Sequence, residues 1–249
     1  MSAEAGLLRQ CLGPLREFAI EVEGVKAWTG HTGKRALALI QTGMGPRQAH
    51  RAIRLAAESL ELSAIFSIGY AGAIDPRLKA GQLLIPTRAV RLEGLIRKEC
   101  YEAHHLLFQS AVSVAEERAQ NPVTGTLATA DRFIAEVTLK REIFEKTGAL
   151  AVDMESAAVA EAAIELRIPV AFVRAISDPA DLDLSAWYNR VSGQRKTKPV
   201  SPDEAASLRA ATDAFKTNAI AAGRSMALFA AGLIDHLGRS ATAGRANQR

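Results

Sequence analysis

Two short, mainly apolar segments constrain the fold of this chain more than any other feature. Residues 64–68 (AIFSI) end at Gly69, and residues 169–176 (PVAFVRAI) end at Ser177 and Asp178. Apolar runs of this length, bounded by turn residues, are typical of strands covered on both faces in a parallel sheet. Because segments with helical spacing alternate with these and other strands, we predict a single three-layer α/β domain around a mixed, mostly parallel central sheet.

Length and composition favour one domain. The chain has 249 residues, of which 48% are hydrophobic, so it can form one sizeable core and is not disordered. We predict a domain over residues 1–237, an extended loop at 182–202, a last helix with a break near Gly223, and a disordered tail at 238–249. No stretch approaches the roughly 18 consecutive apolar residues of a membrane span, and the N-terminus lacks the pattern of a secretory signal.

Cysteine, histidine and charge usage exclude further classes of protein. The two cysteines lie far apart, so we expect a cytoplasmic protein without a disulfide framework or a cysteine zinc site. His104 and His105 are adjacent rather than spaced as ligands on one helix face, and we predict neither a metal nor a cofactor. The basic residues after residue 187 are scattered among alanines and serines without an aromatic ladder, so we predict no nucleic-acid partner. A non-catalytic nucleoside- or nucleic-acid-binding protein is the less favoured alternative and predicts salt-dependent binding.

Two segments place glycines at the ends of predicted strands, where open α/β sheets bind ligands. They are residues 42–47 (TGMGPR) and residues 67–73 (SIGYAGA). Glycine allows a ligand to approach the backbone closely, but close packing of helix on strand explains the same residues. The first segment has Gln48 where a dinucleotide fingerprint needs a third glycine, which argues against NAD binding.

Two further segments place carboxylates at strand ends. Residues 152–156 (VDMES) carry two acids where a strand turns into a helix, and helix capping explains them as well as function does. Arg174 interrupts an apolar strand, where an unpaired charge is costly, so we expect it to pair with Glu155 or Asp178. Asp178 stands at the mouth of that buried strand, which is a good position for a general acid.

In combination these segments resemble the nucleoside phosphorylase/nucleosidase superfamily, and within it the methylthioadenosine/S-adenosylhomocysteine nucleosidase-like hydrolases. The matching stretches follow the family's order over about residues 1–181: TGMG (42–45), GYAGAI (69–74), LKAGQLLIP (78–86), TADRFI (129–134), AVDMESAAVA (151–160) and VRAISDPAD (173–181). The resemblance implies hydrolysis of the N-glycosidic bond of an adenine nucleoside with a 5′ substituent. It also implies a small-molecule nucleoside substrate and a homodimer.

The resemblance assigns catalytic roles to four residues. Asp178 would protonate N7 of the purine, with Ser177 orienting it and Arg174 neutralising and positioning the carboxylates. Glu4 would activate water, although a plain surface acid in an N-terminal helix explains it as well. Six residues would contact the substrate: Glu155 and Met154 at the ribose, Phe133 and Ile134 at the base, and Tyr70 and Gly72 beside the sugar.

Three questions stay open at this level. A phosphate-dependent phosphorylase is the alternative to a hydrolase, but no arginine stands near Ser67 and Tyr70, where hexameric phosphorylases bind phosphate. The variants TGALAVDMES and SDPAD also resemble hopanoid-associated nucleosidases, and Trp187 and Tyr188 could shape or cover the 5′ end. Relatives begin with a buried strand before the segment that contains Glu4, so we expect that first strand to be missing from the chain start.

Overall fold

The computed structural model describes residues 2–12, 14–19, 24–33, 35–192 and 201–243, with the side chains of 2–5, 204 and 240–243 excepted. Helices and strands alternate along most of this length. In chain order they are α1 (Ser2–Cys11), β1 (Arg16–Phe18), β2 (Lys26–Thr32), β3 (Arg35–Gln41), α2 (Pro46–Ser59), β4 (Ile65–Ala73), β5 (Leu83–Glu93), β6 (Ile96–Glu102), α3 (His105–Glu117), β7 (Val123–Thr129), α4 (Val137–Thr147), β8 (Ala151–Asp153), α5 (Ser156–Glu165), β9 (Val170–Asp178), α6 (Ser185–Val191) and α7 (Pro202–Ala243).

The main sheet has six strands in the order β6-β5-β7-β8-β4-β9, and β5 also pairs with β9. Strands β4 and β9 run parallel, as do β5 and β7 and also β7 and β8, whereas β4 and β8 run antiparallel. Every residue of β9 is buried, as its apolar sequence predicts. The predicted α/β fold with a mixed central sheet is therefore confirmed.

Strands β1, β2 and β3 form a second, antiparallel sheet. A cavity of about 910 Å³ is lined by β3 and by residues 65–70 of β4. In the part of the chain that the structure describes, no strand pairs with β3 other than β2. The cavity thus lies between the two sheets.

Three elements differ from the prediction. Strand β6 was not predicted, because most of its residues are exposed and it carries no apolar alternation. Helix α6 occupies part of the predicted loop 182–202, and residues 193–200 of that loop lie outside the described residues. Helix α7 continues through Gly223 to Ala243, past the predicted end at 237. Only 244–249 of the predicted tail lie outside the described residues.

Helix α7 packs along the main sheet. Its side chains Ala222, Met226, Phe229, Ala230 and Leu233 are buried in one cluster with residues of α1, α3, β5 and β9. A Cβ at Gly223 would lie 2.7 Å from Leu7 Cδ1, so α1 packs closely against α7 at this glycine. The segment Ala205–Arg239 is long and apolar enough to cross a membrane by length and composition, a description that core helices also meet.

Candidate active site

A buried ion pair links β9 to the junction between β8 and α5. Arg174 Nε donates a hydrogen bond to Asp153 Oδ2 at 2.9 Å, and both side chains are almost completely buried. Asp153 also accepts bonds from the Thr129 hydroxyl at 2.8 Å and from the backbone N–H of Ser156 at 3.2 Å. The carboxylate therefore caps α5. Asp153, rather than the expected Asp178, is the acid that pairs with the guanidinium.

All five N–H groups of Arg174 have acceptors within the protein. Besides Asp153, these are Ser67 O at 2.7 Å, Ser67 Oγ at 2.9 Å, Ser156 Oγ at 2.6 Å and Val173 O at 2.8 Å. The guanidinium thereby joins β4, β9 and the start of α5. It fixes the backbone that carries Met154 and Glu155, and it has no N–H left for an anion.

Glu155 lies between two of the segments singled out in the sequence. It is the N-cap residue of α5, and its Oε1 accepts the backbone N–H of Gly45 at 2.7 Å. Gly45 has φ +94°, a left-handed conformation that favours glycine. Glu155 also lines the large cavity together with Thr42, Gly43 and Ser67. The fold thus brings the TGMG and VDMES segments together, with Met154 half-buried beside them.

Asp178 ends β9 and is 1% exposed. Its Oδ1 accepts a hydrogen bond from the Ser177 hydroxyl at 2.8 Å. Gly72 is its register partner on β4, and a Cβ at Gly72 would lie 2.7 Å from Asp178 Oδ2. Gly72 therefore makes room for the carboxyl group, and the same residue pairs with Val152 of β8 on its other side. Through Gly72, the two acidic segments reach the same end of the sheet.

Lys140 is the residue of this site that the sequence analysis missed. It lies on α4, is 0% exposed, and its Nζ donates to Asp178 Oδ2 at 2.7 Å. Two backbone carbonyls complete its contacts, Pro179 O at 3.0 Å and Leu182 O at 3.3 Å. One signal was available: Lys140 and Ile143 are three residues apart and share the buried face of α4, where an unpaired lysine would be costly.

Phe133 contacts two aromatic side chains of α6. Its ring is stacked on Tyr188, with centroids 5.0 Å apart and planes at 25°, and Trp187 lies 6.0 Å away. The next residue, Ile134, is buried in a core cluster that includes Ile74 and Val90. The aromatic residues of the predicted loop therefore cover the predicted base-stacking residue.

Two other predicted site residues lie near α1 and α7. Tyr70 packs against the core cluster around α7, and a Cβ at Gly223 would come within 2.9 Å of its hydroxyl. Glu4 lies in α1, which packs on α7, but its side chain is outside the described part of the chain. Among the described side chains, no group of three or more His, Cys, Asp or Glu residues is arranged to hold a metal ion.

A family model described as the phosphorylase superfamily matches residues 1–216. The chain belongs to this superfamily. One protein of similar sequence is the 5′-methylthioadenosine/S-adenosylhomocysteine nucleosidase of Staphylococcus carnosus. It is 27% identical over an alignment of 209 residues, and the match covers 78% of this chain and 90% of the relative. The resemblance predicted from the motifs is confirmed at the level of the superfamily.

Two solved structures resemble the fold of this chain over nearly its whole length. The 5′-methylthioadenosine/S-adenosylhomocysteine nucleosidase from Neisseria meningitidis, in complex with methylthio-immucillin-A, has a TM-score of 0.75 and 20% identity and covers 94% of this chain and 95% of its own. Futalosine hydrolase of Helicobacter pylori also has a TM-score of 0.75 at 20% identity, covering 94% of each chain. Because two differently named hydrolases match equally well, the fold alone does not select the substrate.

Proposed function

We propose that this protein hydrolyses the N-glycosidic bond of an adenine nucleoside with a 5′ substituent, of the methylthioadenosine or adenosylhomocysteine type. The observation that carries the proposal is that Gly72 pairs with Asp178 on one side and with Val152 on the other, which brings Asp178 and the segment that carries Glu155 to one end of the sheet. The chemistry of a nucleosidase needs two such groups. One contacts the ribose as it gains positive charge, and the other serves the leaving base.

Asp178 is the group assigned to the base. Protonation of N7 makes the purine leave as a neutral molecule, which is a far better leaving group than its anion. The Ser177 hydroxyl holds Asp178 Oδ1 in one orientation, so the carboxyl group is fixed before substrate binds. The stacking of the base is assigned to Phe133, and the backbone of Ile134 is assigned to its edge.

Glu155 is the group assigned to the ribose. As the C–N bond breaks, the sugar becomes oxocarbenium-like, and a fixed carboxylate stabilises this developing charge. The N–H of Gly45 holds Glu155 Oε1 in place at 2.7 Å, which supports a positioned rather than a freely rotating acid. Met154 is assigned to the sugar face, and Glu4 is assigned to activation of water.

Hydrolysis is favoured over phosphorolysis by the state of Arg174. Its guanidinium lies beside Ser67 at the cavity, yet all five of its N–H groups already have protein acceptors. A phosphate ion at this place would need cationic donors that Arg174 does not have free. The proposal also includes a homodimer, which the resemblance implies, and a cytoplasmic location, which the cysteine usage favours.

An adenine-release assay tests the proposal. Methylthioadenosine, adenosylhomocysteine and adenosine are each incubated with the protein, with and without inorganic phosphate. We expect adenine release that does not depend on phosphate and is fastest with a 5′-substituted substrate. We expect Asp178→Asn to lower kcat by about 10²–10⁴-fold, the usual contribution of a general acid, while the circular dichroism spectrum is unchanged.

Three results would contradict the proposal or a part of it. Release that requires phosphate would make the protein a phosphorylase. No release from any of the three nucleosides would refute the substrate class. Near-wild-type turnover by Asp178→Asn would remove Asp178 from the chemistry.

A further inference from the structure

Lys140 places a buried cation directly against the carboxyl group assigned to leaving-group protonation. Both side chains are almost completely excluded from solvent, and Nζ and Oδ2 are 2.7 Å apart. We propose that Lys140 supplies, through Asp178, the proton that the leaving base takes up, so that the two side chains act as one proton-donating pair. This inference rests on the proposed function, because it concerns the source of the proton that Asp178 delivers.

The contacts of Lys140 make it a positioning residue rather than a catalytic one. An ammonium group has three N–H donors. Here they match three acceptors, which are Asp178 Oδ2, Pro179 O and Leu182 O. No donor remains for a substrate atom, so any effect of Lys140 on the reaction passes through Asp178.

The geometry places one transferable proton between the two groups. It is the Nζ hydrogen that Lys140 donates to Asp178 Oδ2 at 2.7 Å. Because burial in a low-dielectric site penalises both charges, moving this proton to Asp178 and forming a neutral amine and acid removes two buried charges at once.

The proposed step conserves atoms and charge. As the C–N bond breaks, its electrons move into the base, N7 takes a proton from Asp178, and Asp178 takes a proton from Lys140 Nζ. This leaves a neutral purine, a ribosyl oxocarbenium ion, an aspartate anion and a lysine amine. Water then adds to the ribosyl carbon and releases one proton, and the amine takes up one proton from solvent. The sum is hydrolysis of the nucleoside.

A purely structural role for Lys140 makes a different prediction. Lys140 ties α4 to the segment after β9, and its charge also interacts with Asp183 in that segment. Loss of these links would disturb the site for every substrate. Loss of a proton source affects only substrates whose leaving group needs a proton, and 4-nitrophenyl β-ribofuranoside does not, because nitrophenolate is stable as an anion.

The experiment compares two variants of Lys140 on both kinds of substrate. Lys140→Gln keeps a hydrogen-bond donor but has no acidic proton, and Lys140→Arg keeps the charge but does not lose its proton in a protein. Lys146→Gln is the matched control, because Lys146 is an exposed lysine on the same helix. The readouts are kcat and KM for adenine release and for nitrophenolate release from 4-nitrophenyl β-ribofuranoside, with folding checked by circular dichroism.

We expect both Lys140 variants to lose about 10²-fold or more in kcat for adenine release and to keep the wild-type rate of nitrophenolate release. The control should match wild type on both substrates. Equal losses on both substrates, or full adenine release by Lys140→Arg, would overturn the proposal. If Lys140→Gln does not fold, Lys140→Arg decides alone, since it retains the ion pair. A wild-type protein that releases no adenine would instead refute the proposed function.

Discussion

Substitution of Gly72 by alanine is expected to disturb the site without touching a functional group. The added Cβ would lie 2.7 Å from Asp178 Oδ2, 3.2 Å from Oδ1 and 3.3 Å from Cγ. All three distances are shorter than ordinary van der Waals contact, so the carboxyl group must move by several tenths of an ångström. Because Oδ2 also accepts the bond from Lys140, this movement lengthens a buried ion pair. We expect a loss of about 1–3 kcal/mol in the free energy of unfolding, the usual cost of overpacking.

The effect of Gly72→Ala on activity should exceed its effect on stability. Misplacement of a catalytic group by about 1 Å can cost roughly 10²-fold in rate. Stability is measured by urea denaturation and activity by adenine release with saturating substrate. Gly6→Ala is the matched control. It is the same substitution, made within α1, and the added Cβ would have no atom within 4 Å. Wild-type kcat for Gly72→Ala would refute the assignment of a fixed Asp178 carboxyl to the reaction.

Two further predictions concern ion pairs. Arg174→Met leaves Asp153 buried without a cation, and we expect a loss of about 3–5 kcal/mol in unfolding free energy, measured in urea; a loss below 1 kcal/mol would contradict this. Hydrogen bonds from Arg77 lower the pKa of Asp75, against the opposing effect of burial. The pair therefore contributes stability above the ordinary aspartate pKa of about 3.9 and loses it as pH falls below. Arg77→Ala should destabilise the protein at pH 7 but not near pH 2, which thermal melts at both pH values check.

The sequence predicts the central strands well because strands that are buried on both faces consist mainly of apolar residues. The first four residues of β9 are apolar, as are three of the first four of β4. The prediction placed the start of both strands within two residues of the observed start. Strand β6 was missed because most of its side chains are exposed, which removes the alternation that marks a half-buried strand. A break in helix α7 was predicted because Gly223 disfavours a helix locally, whereas in the structure the helix continues through Gly223 and packs closely against α1 there.

The candidate site was predicted in its parts but not in its pairing. The motifs locate Asp153, Glu155 and Asp178 at strand ends and Arg174 within a strand. Which acid meets which cation depends on the direction of each side chain and on a partner far away in the chain. Arg174 meets Asp153, and Asp178 meets Lys140, which comes from a helix with no motif. Sequence spacing within one segment carries no information on such contacts between segments.

Tyr188 already occupies one face of the Phe133 ring, with the two planes nearly parallel. A purine base that stacks on that face must displace Tyr188, so one aromatic contact is exchanged for another. An aromatic pair is worth about 0.5–1.5 kcal/mol beyond its buried area, and the exchange largely cancels this gain. Stacking on that face would therefore add little net affinity for a base. Discrimination between nucleosides would then depend on the polar groups at the strand ends. A substrate whose polar atoms find no hydrogen-bond partner there would bind more weakly.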